Sequence, residues 1–192
     1  MKEFRDILQE NFGNLTKPEI EILQSYFYEE ELAKNEFFTE KDKSCNRLSL
    51  VTSWLLRIYR FSEHKEITQW IATPNYFVTE ISSFFFDHPS RLFIQSLTNV
   101  KLLTLDKTAH IALSEALPKW KEIETRFLAK CFEILEDRVF SHLSMNAEER
   151  YHSYFNQNKE LFNQVPLQYL ASILGMSPET LSRIRKQQAE NS

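Results

Sequence analysis

The spacing of apolar residues divides the chain into a strand-rich first part and a helical second part. β-Branched and aromatic residues fill segment 48–61, LSLVTSWLLRIYRF, and recur in the shorter segments 67–72, 92–95 and 101–105. Such segments, separated by polar turns, are typical of β-strands. From about residue 106 onward, apolar residues return at every third or fourth position, which predicts helices. We therefore predict an α+β chain in which a β-rich region precedes a helical one.

The longest predicted helix runs from Pro118 to about Ser144. At 1.5 Å per residue it would be a rod of roughly 40 Å. Its apolar stripe consists of Ile123, Phe127, Cys131 and Ile134, with Leu135 as the alternative to Ile134. A rod of this length usually needs a partner for its apolar side, and a second copy across a two-fold axis would supply one. We predict that these residues form a dimer interface; the alternative is a helix lying on its own β domain.

Segment 167–186, LQYLASILGMSPETLSRIRK, carries the clearest motif of the chain. Gly175 would end a first helix at a point where only a residue tolerant of positive φ fits well. Ser177 can cap a second helix, and Pro178 suits its first position because no hydrogen bond is lost there. The residues expected to pack the two helices together are Leu170, Ala171, Leu174, Met176, Leu181 and Ile184. This combination predicts a helix-turn-helix.

The outward side of the second helix carries groups that can read DNA. Glu179, Ser182 and Arg183 recur at helical spacing, opposite the apolar positions. A glutamate can accept a hydrogen bond from cytosine, and an arginine can donate two to guanine, so we predict that these residues contact bases. The residues predicted to contact DNA phosphates are Ser177, Thr180, Arg185 and Lys186. The alternative is an ordinary helical hairpin with a solvated charged side.

The distribution of charge is compatible with a DNA-binding C-terminus. The net charge is −4, but residues 1–115 hold 17 acidic and 13 basic residues, whereas residues 146–192 hold five of each. Within that last segment Arg183, Arg185 and Lys186 form a local basic cluster. The acidity therefore belongs to the first part of the chain, and a small basic patch belongs to its end.

With this order of elements, and with the sequence ETLSR at 179–183, nearly the whole chain resembles the Crp/Fnr family of bacterial regulators. Segment 65–91 resembles the later part of a cyclic-nucleotide-binding domain, in the style of Bacteroidetes members. The resemblance implies three regions. Residues 1–117 would form a double-stranded β-helix, a jelly-roll-like β-roll effector domain. Residues 118–145 would form a dimerisation helix, and 146–192 an all-α helix-turn-helix domain, expected to lack a C-terminal wing.

The resemblance implies a cytoplasmic, sequence-specific DNA-binding transcription regulator that binds a near-palindromic operator as a homodimer and contacts RNA polymerase. Glu179, Ser182 and Arg183 would read half-sites of the TTGAT kind. Pro178, where Crp has an additional arginine, favours an Fnr-like preference. The sequence shows no catalytic, cofactor or metal-ligand motif and no apolar run of membrane-spanning length, so we expect no enzyme, cofactor, metal or membrane partner. The alternative is a cyclic-nucleotide-binding signalling module that acts through protein partners.

The resemblance also locates a candidate pocket for a small-molecule effector. Its residues are Glu80, Ile81, Ser90 and Arg91. Pockets of the family use Gly-Glu-Leu and then Arg-Ser-Ala, in which the arginine neutralises a phosphate. Here the arginine position falls on Ser90, and Arg91 comes one residue late. A slip of one residue on a strand points the side chain to the opposite face unless a bulge at Pro89 restores it. We therefore expect an effector other than cyclic AMP.

The turns of the β-roll are expected to differ from those of the family. The chain has two glycines, Gly13 and Gly175, whereas family members place glycines at several of these turns. The corresponding positions are Asn35, Ser53, His64, Asn75 and Thr79. Asparagine and histidine tolerate positive φ better than most residues, so we expect these positions to take over the turns.

Overall fold

The computed structural model describes residues 5–6, 8–9, 13, 15–63 and 65–190. The chain divides into two compact units. The first unit comprises Met1–Ile58 and Ile71–Ala129, and the second comprises Tyr59–Trp70 and Lys130–Ser192. A hairpin of the β-rich region and the second half of the long helix therefore belong to the same unit as the C-terminal helices.

The helices and strands follow the predicted order. The helices are α1 (Lys17–Tyr26), α2 (Ile81–Phe86), α3 (Lys107–Ala116), α4 (Lys119–Ser144), α5 (Ala147–Gln157), α6 (Leu161–Gln164), α7 (Leu167–Ile173) and α8 (Pro178–Glu190). The strands are β1 (Tyr28–Leu32), β2 (Phe37–Thr39), β3 (Arg47–Ser53), β4 (Leu56–Ser62), β5 (Lys65–Ala72), β6 (Phe77–Val78), β7 (Phe93–Ser96) and β8 (Val100–Asp106).

The strands form two four-stranded sheets, in the orders β1-β8-β3-β6 and β2-β7-β4-β5. Neighbours in each sheet are mostly distant in sequence. β1 pairs antiparallel with β8, with Tyr28 opposite Thr104, and β3 lies on the other edge of β8, with Leu48 opposite Leu105. This exchange of strands between two sheets is the jelly-roll-like arrangement, and the predicted α+β fold class is confirmed.

The core of the first unit lies where its helices cover the sheet containing β3 and β8. Strand residues at alternate positions point to one side, and Leu48, Leu50, Leu103 and Leu105 are all buried in one apolar cluster. The helical residues of the same cluster include Ile20, Leu23, Phe84, Leu113, Trp120 and Ile123. The first two turns of α4 are thus part of this core.

Segment 48–61 forms two strands, β3 and β4, which are separated next to Ser53, one of the expected turn positions. β3 ends at Ser53 because Trp54 has a φ of 69°, which no strand residue adopts. Asn35 and Asn75 also have positive φ, as predicted, together with Asp42, Glu63 and Asp87. The same prediction is wrong for Ser53 and Thr79, and His64 lies outside the described residues.

The C-terminal helices of the second unit pack around aromatic rings. Tyr151 and Phe155 of α5 both contact Phe162 of α6, with ring centroids 5.6 and 5.0 Å apart. The Tyr151 hydroxyl donates a hydrogen bond of 2.6 Å to Oε1 of Gln188, near the end of α8. Asn146 caps α5 by accepting hydrogen bonds from two backbone amides of its first turn. These contacts fix α8 against α5.

Candidate nucleic-acid interface

A tight turn joins α7 to α8, as the sequence predicts. Gly175 has a φ of 63°. The Met176 amide donates to the carbonyl of Ala171 at 3.0 Å, and the Gly175 amide donates to that of Ser172 at 3.1 Å. This pair of bonds is a Schellman motif, in which glycine is favoured because the left-handed conformation strains other residues.

The start of α8 also follows the sequence. Ser177 precedes the helix, and its hydroxyl accepts a hydrogen bond from the Thr180 amide at 3.2 Å. Pro178 occupies the first helical position. Hydrogen bonds from Ser177 and from the backbone amide of Glu179 lower the pKa of the Glu179 carboxyl. Glu179 is therefore ionised at neutral pH and acts only as a hydrogen-bond acceptor.

The two sides of α8 are cleanly separated. Leu181 is fully buried and Ile184 nearly so, whereas Glu179, Ser182 and Arg183 are exposed. The geometry therefore leaves a carboxylate, a hydroxyl and a guanidinium together on one solvent-facing surface. A guanidinium that donates two hydrogen bonds to one base edge distinguishes one base pair from another.

The residues predicted to contact phosphates lie at both ends of this surface. Arg185 and Lys186 are exposed further along α8. Ser177 is exposed and Thr180 half-buried at its beginning, and their hydroxyl oxygens are 3.2 Å apart. Amide groups and the helix dipole make such a terminus favourable for an anion.

The dimer stripe predicted on α4 is partly covered by its own chain. Ile123 is only 3% exposed in the core of the first unit, so the prediction that it faces a partner is wrong. Phe127 packs edge-on against Phe77 of β6, with centroids 5.1 Å apart. Cys131 and Ile134 are half-buried, and burial raises the pKa of the Cys131 thiol. Their contact with a partner stays a prediction.

A second apolar stripe on α4, of which the sequence analysis named only Leu135, faces solvent. It consists of Phe132, Leu135, Val139 and Leu143, each more than half exposed. We call these four residues the exposed stripe; Phe140 extends it on one side. The spacing of three, four and four residues keeps them on one side of a helix. That spacing was visible in the sequence, but a stripe shifted by one or two residues has the same period.

Two of the four residues predicted for the effector pocket are in contact. Glu80 caps α2 by accepting from the Ser83 amide at 2.6 Å and is only 1% exposed. Its other carboxylate oxygen lies 3.6 Å from Nη2 of Arg91, whose side chain is 63% exposed. The buried Ser90 hydroxyl donates to the Leu92 carbonyl at 2.8 Å, while Ile81 is partly exposed.

The prediction that strand alternation turns Arg91 away from this pocket is wrong. Both Ser90 and Arg91 precede β7, which begins at Phe93, so the two-residue period of a strand does not orient them. The irregular segment before β7, and not strand alternation, places Arg91 beside Glu80.

Within the ranges that the structure describes, no group of three or more histidine, cysteine, aspartate or glutamate side chains could hold a metal ion. No helix among those residues combines the length and the apolar character needed to cross a membrane.

Comparison with known proteins gives likeness in structure only. No family model matches the chain, and no curated protein sequence matches it. The fold is that of the Crp/Fnr regulators, which confirms the resemblance drawn from the sequence; its Bacteroidetes detail stays a prediction.

Particular solved structures match over most of the chain. A CooA variant from Carboxydothermus hydrogenoformans has a TM-score of 0.68 and 17% identity, and the match covers 96% of this chain and 84% of that one. FixK2 from Bradyrhizobium japonicum has a TM-score of 0.73 and 15% identity, and the match covers 86% of this chain and 85% of that one. The catabolite activator protein of Thermus thermophilus has a TM-score of 0.59 and 23% identity, and the match covers 94% of this chain and 87% of that one. At these identities the likeness establishes the fold.

Proposed function

We propose that this protein is a Crp/Fnr-type transcription regulator that binds a near-palindromic operator as a homodimer. The observation that carries the proposal is the exposed surface of α8, where Glu179, Ser182 and Arg183 stand clear of the protein interior. Inserted into a major groove, Glu179 accepts from a cytosine amino group and Arg183 donates to guanine. Ser182 adds a hydroxyl that can donate or accept.

The homodimer is supported by the exposed stripe of α4. Fully burying a valine, leucine or phenylalanine side chain contributes about 1.5–3 kcal/mol, and the stripe offers four such side chains on each copy. Two α4 helices pairing along their stripes would be related by a two-fold axis. Their recognition helices would then meet successive major grooves, about 34 Å apart.

The remaining regions fit a regulator of this kind. We assign residues 1–117 to an effector domain, 118–145 to dimerisation and 146–192 to DNA binding, with RNA polymerase as the further partner, in the cytoplasm and without enzymatic activity. The effector is a small molecule other than cyclic AMP, because the position at which the family places its phosphate-neutralising arginine is Ser90. The Ser90 hydroxyl donates a hydrogen bond to the Leu92 carbonyl. Arg91, which could neutralise a phosphate, lies beside the Glu80 carboxylate.

The test is a selection of DNA fragments from the source genome by the purified full-length protein. We expect a shared near-palindromic motif. Gel-shift titration should then give at least about a thousandfold tighter binding to that motif than to the same fragment with both half-sites scrambled. Equal affinity for the two fragments would contradict the proposal. Calorimetry with cyclic AMP checks the effector assignment, since tight binding would contradict it.

A further inference from the structure

The C-terminal end of α7 is bound by several groups from elsewhere in the second unit. The last four carbonyls of a helix have no partner within it and must be satisfied in another way. The carbonyls of Ala171 and Ser172 accept from the amides of the following turn. The next two, those of Ile173 and Leu174, accept from arginine side chains of other helices.

The two arginines, which we call the arginine pair, come from α4 and α5. Arg138 donates from Nη2 to the Ile173 carbonyl at 3.2 Å, and burial lowers its pKa. Arg150 donates from Nε to the Leu174 carbonyl at 2.9 Å. Cations at a helix C-terminus are favourable because the helix dipole is negative there. A charge-assisted hydrogen bond is also stronger than a neutral one.

Arg150 makes a second bond that ties three helices together. Its Nη1 donates at 2.6 Å to the carbonyl of Met145, which stands between α4 and α5. The planar guanidinium holds its donors in fixed directions, so the two bonds fix the end of α7 relative to the end of α4. A lysine, with a single flexible donor group, cannot span the same two carbonyls in this way.

Two further contacts meet the same turn. The imidazole ring of His142 lies against Gly175, since a Cβ built there would be 3.2 Å from two ring atoms. The amide of Thr68, in β5, donates at 2.8 Å to the hydroxyl of Ser172. Segment 172–175 is therefore contacted from α4, α5 and β5.

We propose that Arg138 and Arg150 are positioning residues that set the separation of the two recognition helices in the dimer, an inference that rests on the proposed function. α4 carries the exposed stripe through which two copies pair, and α7 carries the turn that orients α8. The arginine pair joins these elements without touching the surface that reads bases. It therefore controls which half-site spacing is accepted and leaves the preferred half-site sequence unchanged.

The consequence follows from the geometry of DNA. Half-site spacing is dictated by the distance and relative rotation of the two recognition helices. A rigid dimer therefore discriminates strongly against an operator whose spacer is one base pair longer or shorter. A dimer without the arginine pair adapts to either length, because α7 and α8 can shift together relative to α4.

The experiment measures dissociation constants of full-length Arg138→Ala and Arg150→Ala for the selected operator and for versions with one base pair added to or removed from its spacer. We expect the affinity of wild type to fall about 30-fold or more on either change of spacer length. The affinity of each variant should fall less than about fivefold. Arg126→Ala is the matched control, because Arg126 lies exposed on the same helix and pairs with the exposed Glu122 of its own helix at 2.8 Å. It should keep the wild-type discrimination.

The outcomes separate this inference from the proposed function. Variants that retain wild-type spacing discrimination overturn the inference while the proposed function stands. A change in the preferred half-site sequence also overturns it, because the arginine pair would then affect base reading. A wild type that selects no sequence overturns both. Should an alanine variant lack the wild-type circular dichroism spectrum, Arg150→Lys provides the test. When the spacer length changes, the affinity of Arg150→Lys should fall by less than that of wild type and by more than that expected for Arg150→Ala.

Discussion

Arg183 lies on the exposed side of α8, one helical turn after the carboxylate of Glu179. Removing a side chain that donates two hydrogen bonds to a base leaves that position of the operator unread. We expect Arg183→Ala to weaken operator binding by about 1–3 kcal/mol per half-site and to relax base preference at one position. Fluorescence anisotropy on operators with every single-base change measures both effects.

Arg185→Ala serves as the control, because Arg185 is also exposed but lies where we expect a phosphate. This substitution should weaken binding to every operator variant by a similar factor. Binding of Arg183→Ala as tight as that of wild type would show that Arg183 does not read a base.

Gly175 combines a positive φ with a close neighbour. A non-glycine residue in the left-handed region costs about 1–2 kcal/mol, and a Cβ at this position would lie 3.2 Å from the His142 ring. We expect Gly175→Ala to lower the free energy of unfolding by about 2 kcal/mol or slightly more, measured by urea denaturation.

Gly13→Ala separates the two causes. Gly13 has a φ of 72°, and no atom of the described residues lies within 4 Å of the position that a Cβ would take there, so we expect only the backbone cost to apply. If Gly175→Ala destabilised the protein no more than Gly13→Ala, the His142 ring would have to move aside freely.

At the scale of elements, α4 serves two surfaces along its length. Its first turns are part of the core through Trp120 and Ile123, and its later turns present the exposed stripe. A carboxylate placed in that stripe would be buried without a partner in a dimer, which is costly. We therefore expect Leu135→Glu to be monomeric at micromolar concentration by sedimentation equilibrium and to lose operator binding. Its unfolding should change little, since Leu135 is more than half exposed in the single chain.

Lys130→Glu is the matched control, since it adds a carboxylate on the opposite side of α4 and breaks an exposed pair with Glu133. Exposed pairs contribute about 0–1 kcal/mol. This variant should remain a dimer. A dimeric Leu135→Glu protein would place the dimer interface elsewhere.

The same helix shows where a single sequence stops being informative. The helix-turn-helix could be predicted residue by residue because Gly175, Ser177 and Pro178 act on their immediate neighbours. On α4, however, the stripe through Ile123 and the stripe through Leu135 have the same helical period. Which of them is covered depends on β6 and the core of the first unit, and the sequence does not specify that contact.

Strand boundaries failed for a related reason. Trp54 favours strands by its side chain, and the expected turn position in segment 48–61 was Ser53, one residue earlier. In the fold Trp54 turns the chain between two sheets. The chain has no glycine there, so nothing local marks which residue takes the positive φ. In the candidate effector pocket, the approach of Arg91 to Glu80 likewise depends on an irregular segment that no periodic pattern describes.

For the whole molecule, the segregation of charge governs the response to salt. The chain is acidic overall, but the exposed end of α8 is basic. Each lysine that neutralises a phosphate releases a counterion and adds about 0.9 to the slope of the logarithm of affinity against the logarithm of salt concentration. We expect Lys186→Ala to weaken binding to all sequences alike and to flatten that slope by about 2 per dimer, measured by titration at several salt concentrations.

Lys101→Ala provides the comparison, because Lys101 is paired with Glu31 in the first unit. The salt dependence of operator affinity should be the same for Lys101→Ala as for wild type. A loss of affinity confined to particular sequences in Lys186→Ala would assign Lys186 to a base contact.

The separation of the two sides of α8 also bears on how such a protein can acquire new targets. Leu181 and Ile184 maintain the fold, and Ser182 and Arg183 do not share that task. Those two codons can therefore change without loosening the domain that they belong to. A duplicated copy of the gene could thus be redirected to other promoters in small steps, each of them a folded protein.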